Sequence, residues 1–398
     1  MFIAGRSYEL WASTLSSILV GSVLLSFSMR AQPVDVRELQ VGKDLQGPVQ
    51  RVAFDTSGVP WITTTQSLYK YEHGTVSAIE KIGGSVSRIV LMRGGDLYAR
   101  LTTGKAGGFG VELRELRNPD RVVAALGTGS QPSGFDTLFA GPAGKVIVTA
   151  AALENLEGIS GAFAYSFWTP AGNLLATKKL EGPRIGILDE TGEAILLLGA
   201  NDAIAFDKGG SELWRVPGNF RNGVLAGRGH VALLNPAESI EEVHVVHAST
   251  NLAITVARMP GPVHEMTSTP DGSLAAIATN LGKVTLLETN SCRDAKCSSS
   301  REMPSLPIGN TYYITSVKYI DRATVVLGVI EQTENPPNAK FGTGHVVVAS
   351  VVGKVLFDQR LALPPSAAWS PLLDVTFGER IFGAYTADRV FIVEVNGP

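Results

Sequence analysis

The sequence predicts an all-β chain folded as a β-propeller of four-stranded antiparallel blades, with eight blades favoured over seven. Three observations predict it. Tight turns rich in Gly and Asp recur at eight places, each turn lies between short apolar runs, and a strand-like run near the start matches a strand missing at the end. Composition sets the frame: 398 residues, 44% hydrophobic and 18% charged, with 43 Gly and 21 Pro. That is enough apolar material for a core, and the abundance of Gly and Pro suits turns rather than long helices. A net charge of −3 with no Lys/Arg run leaves no basic footprint for phosphates, so no nucleic-acid partner is expected.

The first element is a leader. Leu10 to Met29 carry no charge, and Leu15 to Phe27 form a 13-residue apolar core preceded by Arg6. This is the pattern of a secretory signal peptide over residues 1–31, with cleavage after Ala31 leaving Gln32 as the new terminus. The alternative is an uncleaved anchor holding a sensor ectodomain, but seven of those 20 residues are Ser or Thr. No later segment is long and apolar enough to span a bilayer, so a secreted or periplasmic protein without a stable membrane span is expected. Residues 32–398 then form a single propeller domain, expected to be a monomer.

The turns come next in chain order. They are Asp55 to Gly58, Arg93 to Gly95, Gly141 to Gly144, Asp189 to Gly192, Gly227 to Gly229, Thr269 to Gly272, Asp321 with Arg322, and Gly378 with Glu379. Their mean spacing is about 46 residues, a propeller-blade period. Gly supplies positive φ there and Asp bonds its own backbone, as short hairpin turns require. Strand-like runs flank each turn, as in Val49 to Asp55 with Pro60 to Thr65, or Arg184 to Leu188 with Ala194 to Leu198. A third and fourth follow, as in Ala203 to Phe206 and Glu212 to Val216. Val146 to Ala151 and Ala194 to Leu198 are nearly continuous in apolar residues, as strands buried on both faces between blades would be. The last repeat, Leu373 to Phe377, Ile381 to Tyr385 and Val390 to Val395, stops after three strands. Val34 to Val41 supplies the fourth and closes the ring, which removes exposed sheet edges. Seven blades would average about 52 residues and eight about 46, so the count favours eight.

Cys292 and Cys297 are the sole cysteines. In an exported protein they are expected to form a disulfide pinning a polar loop, since two thiolates supply half of a structural zinc site.

Single blades resemble known propellers. Thr269 to Thr289, with its Pro-Asp-Gly turn before an apolar strand, resembles the repeat of the YVTN and WD40-like propellers. Phe54 to Gly74 looks like the repeat in periplasmic sensor regions of two-component regulators. Ala205 to Val216 is similar to the tryptophan-bearing repeats of quinoprotein propellers. The resemblance implies the fold. It carries no single function across, because the three segments point to different families.

Loop length points to a face. Thr102 to Gly110, Ala152 to Gly161, Asn235 to Glu242 and Gln332 to Gly344 join second to third strands and are long, so they gather on one face, the expected binding face. Its candidate residues are Lys105, Glu154, Glu157, Glu238, Glu241, Glu242, Glu331, Glu334 and Lys340. Such carboxylates could hold calcium through oxygen ligands, but no EF-hand-like loop occurs and no cofactor is expected. Catalytic signatures fail. His244 and His247 would face opposite sides of a strand, and no intact nucleophile elbow or helix-opening Gly-rich loop is found. The sequence therefore predicts a non-catalytic binding or scaffolding module for a protein or cell-envelope component. The alternative is a metal-dependent lactonase or hydrolase, with at least three oxygen ligands converging in the central channel.

Overall fold

Short apolar runs separated by turns can bury both faces only by stacking sheet on sheet, and this chain does so around a ring. The computed structural model describes residues 34–103, 109–127, 137–153, 161–248, 252–293, 296–306, 312–332, 341–361 and 372–395. Blade 1 comprises Val49–Phe54, Pro60–Thr64, Ser67–Glu72 and Thr75–Lys81. Blade 2 comprises Val86–Leu91, Leu97–Thr103, Phe109–Glu115 and Val122–Leu126. Blade 3 is Thr137–Ala140, Ile147–Ala152, Ala162–Trp168 and Leu174–Glu181. Blade 4 is Ile185–Leu188, Ala194–Leu198, Asp202–Asp207 and Glu212–Pro217. Blade 5 is Phe220–Ala226, Val231–Pro236, Glu242–His247 and Ala253–Arg258. Blade 6 is Val263–Ser268, Leu274–Thr279, Val284–Glu288 and Ser300–Glu302. Blade 7 is Tyr312–Asp321, Thr324–Gln332, Phe341–Ser350 and Val355–Leu361.

Blade 8 takes three strands from the end of the chain, Leu372–Asp374, Ile381–Tyr385 and Arg389–Val395, and its fourth, Val34–Gln40, from the start. The closing strand pairs antiparallel from Val34 opposite Val395 to Gln40 opposite Arg389. All eight expected turns join first to second strands.

The apolar pattern has a simple physical reading. Eight hydrophobic clusters fill the eight interfaces between neighbouring blades. In the second strand of blade 4, Ile195 and Leu197 pack toward blade 3, while Ala194, Leu196 and Leu198 pack toward blade 5. A strand buried on both faces needs apolar residues at every position, and all five of these are buried. Fourth strands lie outermost: Leu174–Glu181 alternates between exposed and half-buried positions. The tryptophans are packing residues too. Trp61 donates its indole N–H to Asp55 at 3.2 Å, Trp168 to Thr149 at 2.9 Å and Trp214 to the Gly229 carbonyl at 2.6 Å.

Asp and Gly do in the turns what their chemistry allows. Asp55 Oδ1 accepts from the backbone N–H of Ser57 at 2.8 Å and of Val59 at 3.0 Å. Asp189, fully buried, accepts from Glu193 at 2.9 Å and Ala194 at 3.2 Å. Burial holds its carboxyl above the usual aspartate range against these hydrogen bonds.

Two elements depart from expectation. The first strand of blade 8 stops at Asp374 instead of reaching Phe377, because the carbonyl of Val375 accepts from the Arg93 side chain, at 2.5 Å, rather than from a neighbouring strand. The cysteine segment is more ordered than a loop: Cys292–Arg293 pairs with Lys296–Cys297 in a two-stranded ribbon. Cys292 and Cys297 form the disulfide across it, with Cα atoms 3.9 Å apart.

Candidate functional site

Turns between first and second strands emerge on one face of the ring. Links between blades and second-to-third loops emerge on the other. Of the candidate residues on this loop-bearing face, Lys105, Glu154, Glu157, Glu334 and Lys340 lie outside the described residues. Glu238 and Glu241 are exposed in the loop between second and third strands of blade 5. Glu242 begins the third strand and accepts from Arg258 Nε at 3.1 Å.

Glu331 sits in a strand rather than a loop. Its Oε1 lies 3.1 Å from His345 Nε2 and 3.2 Å from Arg360 Nη2. His345 is 3% exposed, with Nδ1 2.7 Å from Asp358 Oδ1. Burial would raise the Glu331 carboxyl, but hydrogen bonds from His345 and the Thr343 N–H, with the His345 charge and Arg360, hold it below the usual range. Glu242 and Glu331 are thus each engaged in ion pairs within their own blades.

Sequence alternation alone does not reveal what lines the channel mouth. The register shifts between Val49 and Arg51, Val86 and Arg88, Phe220 and Asn222, and Val263 and Glu265. Each shift is a β-bulge at the loop-side end of a first strand, and the extra residue is polar: Gln50, Ser87, Arg221 and His264. A bulge re-aims its side chain out of the alternation. In blades 5 and 6 these side chains meet Asn222, Asn280 and Tyr313 around a cleft of about 340 Å³ at the channel mouth.

Arg221 bonds to Asn235 Oδ1 and to the Val263 carbonyl, tying blade 5 to blade 6. Asn235, fully buried, donates in turn to the carbonyls of Glu242 at 2.7 Å and Ile240 at 3.3 Å, which fixes the adjoining loop. The Tyr313 hydroxyl lies 2.7 Å from His264 Nδ1, with ring centroids 4.7 Å apart. Burial, and then the Arg221 charge, push the His264 pKa below its usual value, and burial raises the Tyr313 phenol. At neutral pH the imidazole is therefore uncharged, the phenol donates to it, and Arg221 supplies the positive charge of the cleft.

Toward the other end of the channel an ion-pair network crosses between blades. Arg93, in the turn of blade 2, bonds to Glu190 in the turn of blade 4 and to the Val375 carbonyl of blade 8, and it lies 3.5 Å from Asp374 Oδ1. Blades 4 and 8 flank blade 2 at two positions' remove on either side, so the guanidinium reaches across the axis. Its side chain is 13% exposed and that of Asp374 is 7%. Arg51 Nε approaches Asp374 Oδ2 at 3.9 Å. Burial raises the Asp374 carboxyl against the pull of Arg93 and Arg51, and it also raises that of Glu265, which Lys318 opposes.

Glu190 and Asp374 therefore share an arginine. Among the described residues no three His, Cys, Asp or Glu side chains converge as a metal would require. His244 and His247 serve different neighbours: the first packs edge-on against Phe220 with centroids 6.0 Å apart, and the second lies 3.0 Å from the Thr289 carbonyl.

No protein-family model matches the chain, and no curated protein matches it in sequence. Solved structures do match its shape. Saccharomyces cerevisiae Sqt1 is 11% identical with a TM-score of 0.58, covering 90% of this chain and 98% of that one. Chaetomium thermophilum Sqt1 bound to the N-terminus of the ribosomal protein L10 is 11% identical with a TM-score of 0.57, covering 87% and 97%. The Dos1 propeller is 9% identical with a TM-score of 0.52, covering 91% and 95%. At such identity the likeness is one of fold alone, a β-propeller.

Proposed function

We propose that this chain is an exported, non-catalytic binding module that holds a protein or cell-envelope component on its loop-bearing face. The asymmetry of the channel carries the reading. One side is crossed by the Arg93 ion-pair network, whose charges are mutually engaged, while the other opens on a cleft lined by a guanidinium, an imidazole and a phenol. A concave mouth with a few convergent polar groups on a rigid frame suits recognition. A propeller of similar shape, Sqt1, is bound to an N-terminal protein segment, an analogy of fold alone. Export is supported by the leader-like residues 1–31 and by the disulfide, a bond that persists in oxidising compartments. The test is N-terminal sequencing of the full chain made in its host, with photo-crosslinkers placed at Glu238, at Glu241 and, on the opposite face, at Glu379. A product beginning at Gln32 and crosslinked from Glu238 or Glu241 is expected. An unprocessed intracellular product, or crosslinks from Glu379 alone, overturns the reading.

A further inference from the structure

Four other clefts among the described residues each have an Asp or Glu in their lining, whereas the cleft at the channel mouth has none. Its positive charge is Arg221, an exposed side chain at the bulge of blade 5. Both of that residue's bonds run to neutral acceptors, Nε to Asn235 Oδ1 and Nη2 to the Val263 carbonyl, and no carboxylate pairs with it among the described residues. A guanidinium has five N–H groups. These two bonds hold its plane still and leave both hydrogens of Nη1 and one of Nη2, the side-by-side donors that meet the two oxygens of a carboxylate.

Neutral donors share the cleft. Asn222 Oδ1 accepts from the Gly223 N–H at 2.7 Å, which leaves the NH2 of that amide unspent. The Tyr313 hydroxyl occupies His264 Nδ1 at 2.7 Å, so the proton of the uncharged ring sits on Nε2, which has no acceptor among the described residues. Asn280 is exposed, and its side chain makes no hydrogen bond among the described residues. A surplus of donors around one uncompensated positive charge suits a ligand group that accepts hydrogen bonds and carries a single negative charge. A carboxylate has both properties. An ammonium would meet only donors, and a phosphate dianion would bring two charges against one.

We propose that the channel-mouth cleft binds a carboxylate group, with Arg221 as its anchor and Asn222, His264 and Asn280 as further donors, supplied by a polypeptide C-terminus or by a small organic acid. The inference deepens the binding-module reading and rests on it for the choice of face. Titration calorimetry on the full chain compares acetyl-trialanine ending in a free carboxylate, the same peptide ending in an amide, acetate and methyl phosphate. The free acid should bind at least about tenfold tighter than the amide, because charge-assisted hydrogen bonds are about twice as strong as neutral ones. Peptide acid bound about tenfold or more tighter than acetate identifies a chain terminus, and a smaller margin identifies a small acid. Asn280→Asp, at an exposed position, sets a like charge in the cleft without touching the bonds that hold Arg221, and should weaken the acid about tenfold or more. Peptide acid carrying a photo-crosslinker should label residues 221–222, 262–264 or 280 in the parent, a readout that needs no variant to fold. Equal binding of acid and amide, binding of neither acetate nor the peptide acid, methyl phosphate bound tighter than both, labelling elsewhere, or undiminished affinity in a folded Asn280→Asp chain overturns the proposal. A chain that binds carboxylates but is not processed to Gln32 overturns the export reading alone, and a processed, crosslinked chain indifferent to carboxylates overturns this inference alone.

Discussion

Arg93→Met removes a guanidinium from the channel axis and keeps most of its apolar stem. It leaves Asp374, 7% exposed, with Arg51 at 3.9 Å as a remaining cation, and deprives Glu190, 23% exposed, of its partner. Breaking a buried pair by removing one partner costs about 3–5 kcal/mol, and because Arg51 persists we expect about 3 kcal/mol at pH 7. The pH dependence follows from Asp374, whose carboxyl burial already raises above the usual value of 3.8. A raised acid contributes stability that is fully present below its unfolded pKa and is lost as pH rises through the folded pKa. Removing Arg93 raises that folded value further, so the deficit is largest at pH 7 and shrinks as pH is lowered toward 3.8. Urea unfolding followed by tryptophan fluorescence, at pH 7 and about pH 4.5, measures both. Asp374→Asn added to Arg93→Met should recover part of the loss at pH 7. A deficit under about 1 kcal/mol, or one equal at the two pH values, would refute the reasoning.

Three further outcomes are expected. Gly192→Ala combines φ of +69° with a Cβ 2.7 Å from the Pro142 carbonyl oxygen, whereas Gly58→Ala has φ of +75° and open space. Denaturant midpoints should show the first costing at least about 1 kcal/mol more than the second, which carries only the backbone term of about 1 kcal/mol. Glu331→Gln should lower stability by about 1 kcal/mol at pH 7; the depressed carboxyl stabilises above 4.5, so the difference should vanish as pH falls below the folded pKa. Deleting residues 1–41 should expose the Arg389–Val395 edge and produce oligomers on size-exclusion chromatography; a monomer with unchanged stability would refute closure by that strand.

The ring was legible because its signals are local. A Gly with positive φ beside an Asp that bonds its own backbone marks hairpins such as Asp55 to Gly58 and Asp189 to Gly192 within four residues. Continuous apolar runs such as Ala194–Leu198 declare burial on both faces. The candidate site was less legible. Period-two alternation cannot show an extra residue, so Arg221 and His264 read as ordinary strand positions until pairing reveals the bulges. Arg93 reads as a turn residue, and its partners lie 97 and 282 positions along the chain. Glu331 reads as loop because Gly342 and Gly344 suggest a turn, whereas the ladder continues through Gly344 opposite Ile330.

Pairing of Val34 with Val395 places the two ends of the fold in one sheet. A chain that emerges from synthesis N-terminus first must hold its opening strand without a partner until the last strand has appeared, so blade 8 carries the longest sequence separation in the molecule. Contacts of such high order slow folding and lengthen the time during which Leu39, Val390 and Ile392 are uncovered. A circular permutant that fuses the present termini and opens at the exposed turn after Gly378 would separate the strands of blade 8 differently, and would show whether the order of emergence or the ring itself limits the rate of assembly.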